Sequence, residues 1–279
     1  GAQSREWDGI WDAKALRSEL GWTLEIKIPF RTLNFDPDGT AWGINFQRTI
    51  RRKNEENLWT GYLRNQQLRQ MSNAGLLEID IQGGGVTQGL GLDVKPYITG
   101  GGSDSPGRNP PVPLSRSADL GVDLFYNLTP SLRANLTVNT DFAQTEVDQR
   151  LVNLTRFPLF FPEKRDFFLD GATFFEFYVP RRRQNSNIAV QPFFSRRIGL
   201  DANGLPQKID FGTKLTGQLG QQDVGFLHVR TGDESTLVGE DFTVLRLKRR
   251  VLAQSYVGMF YSRRASRTIA SSPEQTAGL

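Results

Sequence analysis

Cysteine is absent from the chain, and histidine occurs once, as His228. Without thiols there is no disulfide framework, no thiolate nucleophile and no zinc–cysteine cluster. A single imidazole leaves no histidine-rich metal site and at most one His for a catalytic triad. Methionine is scarce too, at 2 of 279 residues, while Gly (28) and Phe (19) are plentiful. That bias favours turns and strands over helices. No apolar run approaches the roughly 18 residues of a membrane-spanning helix. A hydrophobic share of 38% leaves a transmembrane β-barrel open, because alternating strands depress average hydropathy. Charge is nearly balanced, with 34 Lys+Arg against 30 Asp+Glu and a net +4.

The start, GAQSREWDG, has neither an initiator Met nor the charged-then-apolar opening of a secretory signal. The end, SSPEQTAGL, follows directly on a strand-like run. Together they predict a piece of a longer protein whose targeting signal lies upstream.

Two regions read differently. Residues 1–82 hold all five tryptophans, Trp7, Trp11, Trp22, Trp42 and Trp59. Within Gly21–Pro29, Trp22, Leu24, Ile26 and Ile28 alternate with Thr23, Glu25 and Lys27. Trp42, Ile44 and Phe46 repeat the pattern, as does Leu76 to Ile81, and Asp36-Pro37-Asp38-Gly39 is a turn. This predicts the C-terminal part of a small antiparallel β-sandwich. Gly83-Gly84-Gly85 predicts a linker rather than a phosphate loop, since a strand and no helix follows.

From residue 86 to 279 the period-2 signal lengthens. Leu90 to Ile98, Ala118 to Leu128, Leu132 to Val138 and Ile209 to Leu219 alternate cleanly. Each run has roughly the ten residues of a tilted strand crossing a bilayer. Asn127–Ser131 reads as a tight turn and Gly100–Ser117 as a long loop, the short-and-long asymmetry of an outer-membrane barrel. The runs 223–230, 241–251 and 254–261 alternate less well. A soluble sandwich alternates as well, but its strands are usually only about five to six residues long. The prediction is therefore all-β: a partial sandwich, then the first strands of an antiparallel transmembrane barrel.

Between the third and fourth clean runs the pattern changes. Eight phenylalanines fall within residues 157–177, broken by Pro158 and Pro162, with Glu163-Lys164-Arg165-Asp166 between apolar blocks. Proline and charge disfavour one continuous strand. The expectation is an inward loop or plug that packs rings such as Phe160 and Phe161 against the wall. Asp141, Glu146, Asp148, Glu163, Lys164 and Arg165 would be its lumen-side charges.

The layout resembles a bacterial outer-membrane β-barrel family of unassigned function, in which a domain similar to the family 9 carbohydrate-binding modules precedes the barrel. The residues that carry the resemblance are GWTLEIKIPFRTLNF (21–35), WGINFQR (42–48), NEENLW (54–59), NTDFAQTEVDQRLVNLTRFPLFFPEKRDFFLDG (139–171) and FFSRRIG (193–199). The resemblance implies the outer membrane of a Gram-negative-type cell, with a carbohydrate or polymer as ligand. It spans nearly the whole chain, but only the end of such a module and the first part of such a barrel.

Sugar rings stack on flat aromatic faces. Trp22 and Trp42 fall on alternating apolar faces, where core packing is expected. Trp7, Trp11 and Trp59 lie outside clean strand patterns and are the candidate ligand contacts. Asp141, Glu146 and Asp148 could offer calcium oxygens, but their spacing fits no EF-hand loop. Pairing with Arg150, Arg156, Lys164 and Arg165 is the simpler expectation, so no cofactor is predicted. No catalytic residue is assigned either, since a glycosidase pair needs carboxylates about 5–9.5 Å apart. The basic clusters are dispersed, which suits lipid phosphates or internal acids better than nucleic acid. Competing classes are a structural or assembly component of the outer membrane and a glycan-processing hydrolase.

Overall fold

The computed structural model describes residues 9–19, 21–33, 35, 39–61, 68, 70–78, 90–105, 112–140, 163–177, 192–200, 207–233, 238–252, 255–268 and 272–278. The protein is nearly all β. It divides into two compact units, one of residues Gly1–Asn34 with Gly89–Leu279, the other of Phe35–Gln88.

The first unit opens with β1 (Asp12–Ser18) and β2 (Gly21–Lys27), an antiparallel ribbon. Its apolar row, Trp22, Leu24, Ile26 and Ile28, is exposed. Trp22 is 55% exposed, so the core position expected from its alternation is not where it sits. A two-stranded ribbon has no second layer to bury a face against.

The second unit holds β3 (Ala41–Ile44), β4 (Gln47–Ile50), β5 (Glu55–Leu58) and β6 (Gly75–Glu78), paired β3 with β6 and β4 with β5. Asn54, in the left-handed region at φ 54°, makes the β4–β5 turn. Phe35 packs on Trp42 at 5.5 Å between centroids, and Phe46 meets Trp59 edge-on at 5.7 Å.

The bulk of the first unit is one eight-stranded antiparallel sheet. In chain order its strands are β7 (Leu92–Ser105), β8 (Val112–Thr129), β9 (Leu132–Thr140), β10 (Ile209–Leu219), β11 (Gln222–Thr231), β12 (Glu240–Arg250), β13 (Tyr256–Ser266) and β14 (Glu274–Gly278). Each strand pairs with the next, so the sheet is a simple meander with β7 and β14 at its edges. The clean runs of the sequence fall on β7 to β10, and the poorer ones on β11 to β13. Connections alternate in length. At one end, Pro130–Ser131 and Gly220–Gln221 are two-residue turns and 251–255 is nearly as short. At the other end lie 106–111, 141–208, 232–239 and 267–273.

Side-chain alternation is inverted relative to a soluble protein. On one face Asp123, Asn127, Arg133, Asn135, Thr137, Lys214, Thr216 and Arg246 are buried. On the opposite face Leu92, Val94, Ile98, Leu120, Tyr126, Leu128, Val138, Phe226 and Val257 are exposed. The register holds each set together: Leu124 pairs with Val94 and Leu136, while Asp123 pairs with Thr137 and Phe125 with Asn135. Charged and amide side chains of β8 to β10 therefore point to the covered side of this sheet, which also carries the buried Phe125 and, on β11 to β13, Leu227, Val229, Val244 and Phe260, while the bare side carries the apolar row.

Candidate functional site

The 141–208 connection carries the covering layer. Helix α1 (Asp166–Leu169) and the short 3₁₀ turns Ala172–Phe175 and Ser195–Arg197 lie on the polar-lined face. Phe167, Phe168, Phe175 and Ile198 form one buried cluster with Ile209, Leu227, Val229, Val244 and Phe260 from the strands. Phe167 and Phe168 meet edge-to-face at 5.0 Å, and Phe177 packs on Phe260 at 5.7 Å. Burying four such rings and aliphatics is worth about 1.5–3 kcal/mol apiece.

Glycines on the strands receive this layer. A Cβ at Gly212 would stand 3.0 Å from the Phe167 ring, and one at Gly225 would stand 3.2 Å from both the Phe174 carbonyl and the Phe175 ring. Gly171, at φ 64°, turns the segment beside Thr216. Gly225→Val is expected to lift Phe175 off the sheet, at the 1–3 kcal/mol typical of overpacking. Hydrogen exchange should quicken in 172–177 while β7 to β9 keep their protection; unchanged exchange would contradict the packing described.

Three charged contacts hold the layer on its polar side. Lys95 on β7 donates to Asp166 at 2.6 Å, in an exposed pair. Arg133 on β9 bridges Asp93 at 3.1 Å and Asp170 at 3.4 Å, with its side chain only 10% exposed. Asn135 donates to Asp170 at 2.7 Å. Beneath α1 the buried Lys214 ammonium donates to the Phe167 and Asp170 carbonyls, taking two acceptors that the helix end leaves open. Lys95 and Arg133 also flank the Phe125 ring, each 5.2 Å from its centroid. Lys95, Phe125, Arg133, Asp166 and Asp170, with Thr32, are among the residues that line a cavity of about 240 Å³.

The layer's own internal fastening is Glu163 with Arg165. The carboxylate accepts from Arg165 Nε and Nη2 at 2.8 Å each, from the Ser195 hydroxyl at 2.8 Å, and from the Lys164 and Arg165 backbone N–H groups at 3.1 Å. Arg165 further donates to the Ile198 and Ser195 carbonyls and lies 4.0 Å over the Phe168 ring. Burial acts to raise the Glu163 carboxyl, but the hydrogen bonds and charge of Arg165, helped by Ser195, outweigh it and hold it below the usual range. This clamp ties 163–165 to 195–198 across an intervening stretch of some thirty residues.

Of the residues expected to serve a plug, Glu163, Lys164 and Arg165 lie in this layer. Asp141, Glu146, Asp148, Phe160 and Phe161 lie outside the described residues, as does Trp7. The partners of Asp166 and Asp170 come from the strands rather than from neighbouring loop arginines. The signal for them was present: Lys95, Arg133 and Lys214 stand at the polar positions of clean alternating runs. Among the described residues, no group of three or more His, Asp or Glu is placed to hold a metal ion.

The other two tryptophan candidates are surface residues on separate units. Trp11 is 54% exposed, just before β1. Trp59 is 58% exposed; its backbone N–H donates to the Phe46 carbonyl at 2.9 Å. The Trp59 indole occupies the space a side chain at Gly75 would fill, so the ring lies against β6.

Residues 89–218 match a family described as Domain of unknown function (DUF5916). The matched span takes in β7 to β9, the covering layer and nearly all of β10, which are the parts that make the charged contacts. No curated protein and no solved structure matches the chain.

Proposed function

We propose that this chain is wall and plug of an outer-membrane β-barrel, joined to a glycan-binding-like module, and that it binds and passes a polymer or glycan. The observation that carries this is the inverted sheet: charged and amide side chains buried on one face, an apolar belt bare on the other. A water-filled or plugged lumen and a lipid exterior demand that arrangement, whereas a sandwich demands its reverse. Among the described residues no helix is long and apolar enough to cross a membrane, so crossing would fall to the strands.

The belt's slant adds support. Val94, Leu124 and Leu136 are mid-belt on β7 to β9, and the same register row continues through Thr213 to His228, Thr243 and Arg263. On β11 to β13 the apolar residues lie nearer the short turns, at Val224, Leu247 and Met259. An apolar belt oblique to the rows means strands oblique to the bilayer normal, as the roughly 35–45° tilt of barrels requires. In this reading the 163–177 and 195–198 layer narrows the lumen, and Trp59 is the sugar-stacking platform.

The test is fractionation of expressing cells, followed by gel electrophoresis with and without boiling. Recovery in the outer-membrane fraction with heat-modifiable mobility is the expected result. A soluble protein of fixed mobility would overturn the membrane reading and leave a secreted binding protein.

A further inference from the structure

The three short turns at one end of the sheet differ in chemistry. Pro130–Ser131 and Gly220–Gln221 carry no charge, whereas β12 runs out through Arg249 and Arg250, both exposed. Val251 and Leu252 follow, and Leu252 is 73% exposed. Among the described residues neither arginine has a carboxylate within ion-pair distance. The acid closest in register, Asp223, is held by Lys248 at 3.7 Å and accepts from Gln218 at 2.9 Å.

Arg249 lies on the belt face, two residues beyond Leu247, and pairs in register with the exposed Val257. The Arg249 guanidinium thus sits at the margin to which the belt has descended on β12 and β13, while Arg250, the last residue of β12, pairs in register with Tyr256 on the covered face. Apolar side chains, Leu247 and Val257 on the strands and Val251 and Leu252 beyond them, flank Arg249.

We propose that this turn binds the phosphate of an anionic phospholipid headgroup in the leaflet facing the short turns. Guanidinium forks match phosphate oxygens, and arginine stems can lie along apolar surface while their heads reach the headgroup layer. Val251, Leu252 and Val257 would enter the acyl boundary beneath that headgroup. An acidic protein segment would satisfy the charges but would leave those apolar groups in water, so the lipid is the better fit. The inference rests on the membrane reading above.

The experiment uses the chain purified in neutral detergent, with phosphatidylglycerol or phosphatidylcholine added and bound lipid read by native mass spectrometry. Phosphatidylglycerol should be retained in preference. Arg249→Gln should lose about fivefold in that retention, taking about 1 kcal/mol for an arginine near an anionic surface. Arg249→Lys should keep most of it, and Arg263→Gln, towards the opposite end, should change nothing. Undiminished retention by the glutamine variant overturns the proposal. So does full displacement of lipid by millimolar inorganic phosphate, which would mark a free-phosphate site. Heat-modifiable mobility of each variant reports the fold. Its absence in the unaltered chain would fail the membrane reading, a result separable from lost lipid preference.

Discussion

Glu163→Ala should loosen the whole covering layer, at a cost of about 3–5 kcal/mol. Arg165, with its side chain only 1% exposed, would keep its charge but lose the Glu163 carboxylate. Neutral carbonyls such as those of Ile198 and Ser195, and the Phe168 face, do not replace a carboxylate's charge against a buried guanidinium. The paired change Glu163→Gln/Arg165→Met should recover much of the loss, because an apolar replacement of a buried pair is often neutral. Limited proteolysis scored at bonds within 163–177 and 192–198 measures it: rapid cleavage in the single variant and protection in the double one. If Glu163→Ala resists protease as the unaltered chain does, the clamp is not what holds this layer.

The same pair sets an acid limit. Glu163 is held below its unfolded value, so its contribution is fully present above that value, about 4.3, and is lost as pH falls through the lower folded value. Protection of the layer should be flat from neutral pH down to about 5 and fall only at more acid pH. In Glu163→Gln that acid-dependent step should vanish.

The strands of β7 to β10 were readable because their two faces differ. Asp123, Asn135 and Lys214 against Leu124, Leu136 and Leu215 give a strict period of two. On β11 to β13 the signal fades for a physical reason. Leu227, Val229, Val244 and Phe260 face the phenylalanine layer, so apolar residues occur on both faces of those strands and the period of two blurs. The plug was legible in its prolines and charges, since neither suits a continuous strand. Which strand residue meets which plug carboxylate was not, although the strand cations stand at polar positions, because Lys95 meets Asp166 across 71 residues and Asn135 meets Asp170 across 35. Alternation likewise could not say that Trp22 would be exposed, since burial depends on a second layer and not on the strand's own pattern.

Leu136→Arg is the substitution that separates a lipid belt from a solvent-facing sheet. Leu136 lies mid-belt, between Leu124 on β8 and Thr213 on β10. In a bilayer an arginine at that depth costs about 2–4 kcal/mol, whereas near the interface it costs about 0–1. Leu128→Arg, one residue from the β8 end and beside the short turn, supplies the interface position. In water neither substitution has a reason to exceed about 0.5 kcal/mol, since both side chains lie on the bare face. Denaturant titration of protein folded into lipid vesicles, scored by the heat-modifiable band, should therefore show a steep loss for Leu136→Arg and little for Leu128→Arg. Equal, small effects at both depths would mean that no hydrocarbon surrounds this face. The buried Arg133, Lys214 and Arg246 on the other face would then need an explanation without a lumen. A depth-dependent cost ties the two faces together: lipid outside is what leaves the charges of this sheet to meet one another inside.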